Sequence, residues 1–164
     1  MSPNLVRCRS NLVRTRTTVK AQPGLFLQPH IVNQLVGRLI QEIVEGSEVT
    51  PAEFGVASWL NAVGSATPSG LAEQLGMSAT TLSAIIERLV RKGQVRRVAH
   101  PEDGRSYLLE LTERGRATNA RNGGRFRARM ESVRAYLGTD PEEVLVPLRR
   151  LEAALRRTLE EPAR

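Results

Sequence analysis

Residues 78 to 91, SATTLSAIIERLVR, put short hydroxyl and methyl side chains on one side of a helix and aliphatic ones on the other. Counting about 100° per residue from Leu82 brings Ile85, Ile86 and Leu89 within about 60° of it, which makes that the core face. The opposite face centres on Ala84 and Arg91, flanked by Thr80, Thr81, Ser83, Glu87 and Arg88. Hydroxyls bond base edges or phosphates, alanine and threonine methyls meet a thymine methyl, and arginine forks match phosphate. Ser78, Ala79, Thr80, Thr81, Ser83, Ala84, Arg88 and Arg91 are therefore candidates to touch DNA, with the two arginines, further along, on phosphates. A solvated helix face would read the same way in isolation. The decision rests on what surrounds it.

After this helix come two stretches with strand character, 95 to 99 and 106 to 111, joined by HPEDG, whose Pro, Asp and Gly form turns. Arg96 and Arg97 precede the turn, and Arg105 leaves it two residues after Asp103. Asp103 would cap the turn and orient Arg105 onto the phosphate backbone or into a minor groove. The competing reading is a local surface ion pair, worth about 0–1 kcal/mol. Arg97, Asp103 and Arg105 join the candidate DNA-binding set.

The elements that position these groups announce themselves by their caps. Thr67 and Pro68 start a short helix with Leu71, Ala72 and Leu75 inside, ending at Gly76; Ser78 caps the next, which Gly93 closes in a left-handed conformation. Helix, turn, helix and basic hairpin in that order fit a major groove and its flanking backbone. Upstream, Ile31, Leu35, Leu39, Ile40 and Ile43 repeat at helical spacing, widened by Val32 and Val36, up to Gly46. Thr50, Pro51 and Glu53 then read as a capping box opening a helix with Phe54, Val56, Trp59, Leu60 and Val63.

Downstream, Thr112 caps a long arginine-rich helix that Gly123 and Gly124 are expected to interrupt and bend. Asp140, Pro141, Glu142 and Glu143 start a last helix with Val144, Leu148, Leu151, Leu155 and Leu159 in one stripe. A stripe of that kind packs on another helix. The first and last helices lie outside the winged segment, so the simplest arrangement pairs them with their counterparts in a second subunit.

The chain has 24 Lys and Arg against 17 Asp and Glu, a net charge of +7. Such a balance seeks polyanions. Only two of the cations are lysine; arginine suits phosphate and guanine, although a GC-rich genome produces the same preference. Residues 1 to 22 hold five cations and no acid, and read as a disordered basic arm, with an Arg-rich transit peptide the compositional alternative. A single cysteine, Cys8, excludes an internal disulfide framework, and no stretch approaches the roughly 20 apolar residues of a membrane span. A soluble, cytoplasmic protein that engages no membrane is expected.

Enzymatic chemistry finds little material: two His, one Cys and two Asp, with no phosphate-binding loop and no metal-ligand spacing around His30 or His100. No catalytic residue, cofactor or metal is predicted. A winged-helix adaptor that binds protein rather than DNA stays open as the alternative, disfavoured by the basic surface.

The stretches SGLAEQLGMSATTLSAIIERLVRKGQV and HPEDGRSYLLELTERG, with D-x-R at Asp103 and Arg105, resemble the winged helix-turn-helix of the MarR family of bacterial transcriptional regulators. With the flanking helices the likeness runs over about residues 28 to 158. It implies a mainly α fold with a small β-hairpin wing: a winged lobe over 50–115 and a helical dimerisation domain from the N- and C-terminal helices, 28–46 and 125–160. It also implies a homodimeric repressor on a pseudopalindromic double-stranded DNA operator, with residues 78 to 91 as recognition helix and Arg105 at the wing tip. Family members often release DNA on binding a small phenolic or anionic effector between lobe and dimer helices; His30, Phe54 and Trp59 are the residues here to line such a pocket. Some relatives sense peroxide through an N-terminal cysteine, the position of Cys8. This sequence departs at Ala79 and Ala84, where many relatives carry a long polar residue, which shifts weight toward readout of DNA shape.

Overall fold

Among the described residues, polar side chains start five of the six helices, and each does so by accepting an amide of its own first turn. The computed structural model describes residues 24–104 and 106–161. In chain order these form α1 (Leu27–Val44), α2 (Pro51–Val63), β1 (Ser65–Ala66), α3 (Pro68–Leu75), α4 (Ala79–Arg91), β2 (Val95–Ala99), β3 (Tyr107–Leu111), α5 (Glu113–Leu137) and α6 (Pro141–Glu160). Thr50, Thr67, Ser78, Thr112 and Asp140 cap α2 to α6 in turn. At α2 the capping box is complete: Thr50 Oγ1 accepts from Glu53 N at 3.3 Å, and Thr50 N donates to Glu53 Oε2 at 2.8 Å. Satisfying amides that have no intrahelical partner is worth about 1 kcal/mol per cap.

The core lies under α4. Leu82, Ile85, Ile86 and Leu89 are buried, as the helical periodicity predicts, against Leu71 of α3 and Val56, Ala57 and Leu60 of α2. Val95, Leu109 and Leu111 close it from the hairpin, and Ile43 and Val44 from the end of α1. Each of the Val, Leu and Ile side chains among them contributes about 1.5–3 kcal/mol by leaving water. This cluster is what holds the outer face of α4 at a fixed height above the lobe.

The hairpin gains a third strand that the sequence does not announce. β1 pairs antiparallel with β3, Ser65 opposite Glu110 and Ala66 opposite Leu109, giving the order β1-β3-β2. Two residues are too few to display an alternating pattern. The pairing covers one edge of β3, and β2 covers the other, from Val95 opposite Leu111 to Ala99 opposite Tyr107.

A second difference concerns α5, which runs unbroken through Gly123 and Gly124. Each glycine costs about 1 kcal/mol relative to alanine in a helix. Anchors on both sides of the pair offset that cost. Asn119 Oδ1 accepts from Ser58 Oγ at 3.0 Å, Asn122 Nδ2 donates to Ser47 Oγ at 3.0 Å, and Arg125 donates to Glu45 O at 2.9 Å. The expected interruption is absent because tertiary hydrogen bonds override local propensity.

Around α1 and α6 the surface is different. Leu35 and Val36 of α1 and Val144, Leu145, Leu148 and Leu155 of α6 are exposed, and no residue of α6 is buried.

Candidate nucleic-acid interface

The turn between α3 and α4 is built on Gly76, whose φ of 61° and ψ of 30° place it in the left-handed region that favours glycine. Met77 then donates back to Ala72 O at 2.9 Å, and the chain reverses into the Ser78 cap within two residues. This orients α4 with Ala79, Thr80, Thr81, Ser83, Ala84, Glu87 and Arg91 exposed, while Arg88 is half-buried.

The hydroxyls on that surface are not equivalent. Ser78 Oγ accepts from Thr81 N at 3.2 Å and shares a 2.8 Å hydrogen bond with Thr81 Oγ1, so both belong to the cap. Thr80 and Ser83 have no such engagement among the described residues, which leaves their hydroxyls for an external partner. Glu87, which was not singled out from sequence as a contact, shares their surface: Ala79, Thr80, Ser83, Ala84 and Glu87 line one shallow concavity.

Charge is distributed unequally along α4. Arg91 is exposed, with no ion pair among the described residues. Arg88 is held from below, its Nε donating to Glu53 Oε1 at 3.1 Å, and Lys92 Nζ reaches Glu53 Oε2 at 2.6 Å. The Glu53 side chain has no exposed area. Burial alone would push its carboxyl up, but the hydrogen bonds from Lys92 and the Thr50 amide, with Arg88 behind them, outweigh burial and hold it below the usual carboxylate range. Glu53 thus ends α4 on an ion cluster anchored in α2. The capping box marked Glu53 as a cap; nothing local marked it as the partner of two cations far along the chain.

Beside this cluster, Arg114 at the start of α5 donates to Glu48 Oε2 at 2.5 Å, and buried Gln94 donates to the same oxygen at 3.1 Å. Arg114, more than any other group, holds the Glu48 carboxyl below its ordinary value. The α4–β2 turn and the root of the wing are therefore fixed to the α1–α2 loop.

In the wing, Arg96 is spent on Glu110 at 2.9 Å, whereas Arg97 lies over the Tyr107 ring, 5.1 Å from its centre. Arg97 is exposed, and among the described residues no carboxylate pairs with it. Asp103 is exposed in the turn and its carbonyl accepts from Ser106 N at 3.0 Å. Arg105, expected at the wing tip, and Cys8 and the basic arm lie outside the described residues.

The three residues expected to line an effector pocket differ in burial. His30 is exposed on α1, Trp59 is half-buried, and Phe54 is core, tilted against Phe126 with ring centres 6.2 Å apart. A concavity of about 600 Å³ between α1 and α5 is lined instead by Glu42, Ile43, Glu45, Arg125, Ala128, Arg129 and Ser132. Among the described residues no group of three or more His, Cys, Asp or Glu is placed to hold a metal ion, and no helix is long and apolar enough to cross a membrane.

This arrangement of cap, exposed helix face and stacked wing arginine coincides with a match of residues 47–106 to the MarR family model. Residues 47–106 are thus similar to the MarR family. The multiple antibiotic resistance protein MarR of Escherichia coli K12 is 35% identical over 88 residues, 54% of this chain and 61% of that protein. Its Salmonella typhimurium counterpart is 31% identical over the same length. The matched stretch thus spans about six tenths of these curated relatives. Solved structures extend the likeness: wild-type apo MarR from E. coli has a TM-score of 0.64 at 27% identity, covering 85% of this chain and 99% of that one. The repressor CouR bound to a 23-mer DNA duplex gives 0.69 at 27% identity, over 79% and 92%. The Mycobacterium tuberculosis regulator MOSR in complex with DNA gives 0.70 at 25% identity, over 82% and 98%. The MarR likeness therefore reaches beyond the lobe to the flanking helices.

Proposed function

We propose that this chain is a DNA-binding transcriptional regulator of MarR type, a homodimeric cytoplasmic repressor on a pseudopalindromic operator. The observation that carries the reading is the outer face of α4, where Thr80, Ser83 and Arg91 stand exposed on a helix locked to the lobe by a buried core. Relatives whose structures were solved on DNA support it, as does the net charge of +7. Thr80 and Ser83 meet base edges, Ala79 and Ala84 meet methyl groups, and Arg91, Arg97 and Arg105 meet phosphates. Arg88 reaches a phosphate only through the guanidinium edge that Glu53 leaves free.

Dimerisation follows from the apolar surfaces of α1 and α6, regions 28–46 and 125–160, which a lone chain would leave in water. Two α4 helices then enter successive major grooves about 34–36 Å apart. Occlusion of the promoter represses transcription. A small anionic effector has its best footing in the α1–α5 concavity, where Arg125 and Arg129 lie among the residues of the dimer region; a melting temperature that salicylate-like compounds never move would remove that part of the reading.

The test is retardation of DNA from the protein's own upstream region at low salt, together with light scattering for the mass. A dimer that retards that DNA supports the proposal. A folded dimer that retards no DNA sinks it and favours a winged-helix adaptor for proteins.

A further inference from the structure

The last turn of α3 leaves carbonyls without intrahelical donors, as every helix does. Here Gly76 N donates to Glu73 O at 3.2 Å, and a side chain of α6 brings further donors to the same turn. Arg156 of α6 donates through Nη1 to Glu73 O at 2.7 Å and through Nη2 to Gln74 O at 3.3 Å. Its Nε donates to Glu152 Oε1 at 2.9 Å, one turn back on α6, which fixes the plane of the guanidinium. A cation at a helix C-terminus is also favoured by the helix dipole. Leu75 beside this fork shares an apolar groove with Leu148, Leu151 and Leu155 of α6.

The grip falls at a sensitive point. Gln74 is followed by Leu75, the left-handed Gly76, Met77 and then Ser78, the cap of α4. Any displacement of α6 that carries Arg156 with it pulls on the last turn of α3 and, through this short stiff turn, on the N-terminal end of α4, where Thr80 and Ser83 stand. The lobe is therefore tied to α6 at the turn that sets the orientation of its reading helix, and not merely through the long α5.

We propose that Arg156 is a positioning residue: by clamping the end of α3 to α6 it fixes the angle of α4 within the dimer, and so the half-site spacing the dimer accepts. This rests on the dimeric DNA-binding reading given above. Lysine could not replace it, because one ammonium cannot hold two carbonyls and Glu152 in a planar fork.

The experiment compares full-length wild type, Arg156→Ala and Arg156→Lys on an operator recovered by genomic selection and on duplexes with the half-sites moved one base pair closer or further apart. Wild type is expected to lose about tenfold in affinity on either altered duplex. Both variants are expected to flatten that preference to about twofold or less while remaining dimers. In the same proteins, hydrogen exchange of the Gly76 and Met77 amides, which bond α3 carbonyls, should quicken about tenfold. Variants with the wild-type spacing profile, or with unchanged exchange at those amides, overturn the proposal. Failure of the wild type to retard DNA at all instead overturns the functional reading, and the exchange measurement still judges the clamp.

Discussion

Lys92 Nζ lies 2.6 Å from an oxygen of Glu53, a carboxylate with no exposed side-chain area, and this contact joins the end of α4 to the start of α2. Burying an acid is costly unless hydrogen bonds meet it, and here the Thr50 amide, Arg88 and Lys92 all do. Glu53→Ala removes the capping box and both ionic contacts together. It is expected to destabilise the fold by about 2–4 kcal/mol in urea unfolding. A loss under about 0.5 kcal/mol, the range of an ordinary surface change, would mean the cluster is incidental.

The same carboxyl makes stability depend on acid. Its value in the folded protein is depressed below the ordinary 4.5, so its contribution is fully present above that pH and disappears as pH falls through the folded value. Wild type should lose stability steadily below about pH 4.5, and Glu53→Gln should lose less over the same interval. Denaturant melts at stepped pH give the comparison; parallel curves would contradict the assignment.

How much of this was legible in the sequence depends on the range of the interaction. The caps Thr50, Thr67, Ser78, Thr112 and Asp140 are local, and the core face of α4 follows from its period, so both could be read directly. Glu53 reads as a cap because its capping partner is three residues away, whereas Arg88 and Lys92 are 35 and 39 residues away. Strand β1 leaves no signal because two residues carry no period, and α5 runs through Gly123 and Gly124 because Asn119, Asn122 and Arg125 tie it to distant elements. Arg156 was one arginine among many until the fold set it against α3.

Two glycines of α5 should respond oppositely to alanine. A Cβ on Gly115 would come within 2.0 Å of Gln94 O, a carbonyl held in place by Thr112 N at 3.0 Å, whereas one on Gly124 would meet nothing within 4 Å. Gly115→Ala is expected to destabilise by about 1–3 kcal/mol or more through overpacking. Gly124→Ala should stabilise by about 0.5–1 kcal/mol through helix propensity. Thermal unfolding of the pair decides it, and a neutral Gly115→Ala would refute the close approach of α5 to the wing root.

The wing arginines should separate in their salt dependence. Arg97, stacked on Tyr107, is free to meet phosphate, while Arg96 is occupied by Glu110. Arg97→Gln is expected to reduce the slope of log affinity against log salt by about 0.9, and Arg96→Gln to change it by less than about half as much. Arg105→Ala, at the expected wing tip, should match Arg97→Gln. Equal slopes for wild type and Arg97→Gln would remove Arg97 from the interface.

The exposed face of α4 is the surface proposed to read DNA. The most direct test is footprinting of the full chain on fragments it selects from its own genome, with Arg91→Glu alongside. Wild type should protect two half-sites about one helical turn apart, and Arg91→Glu, equally folded and dimeric, should protect neither. A footprint unchanged by Arg91→Glu would take the outer face of α4 out of the DNA interface.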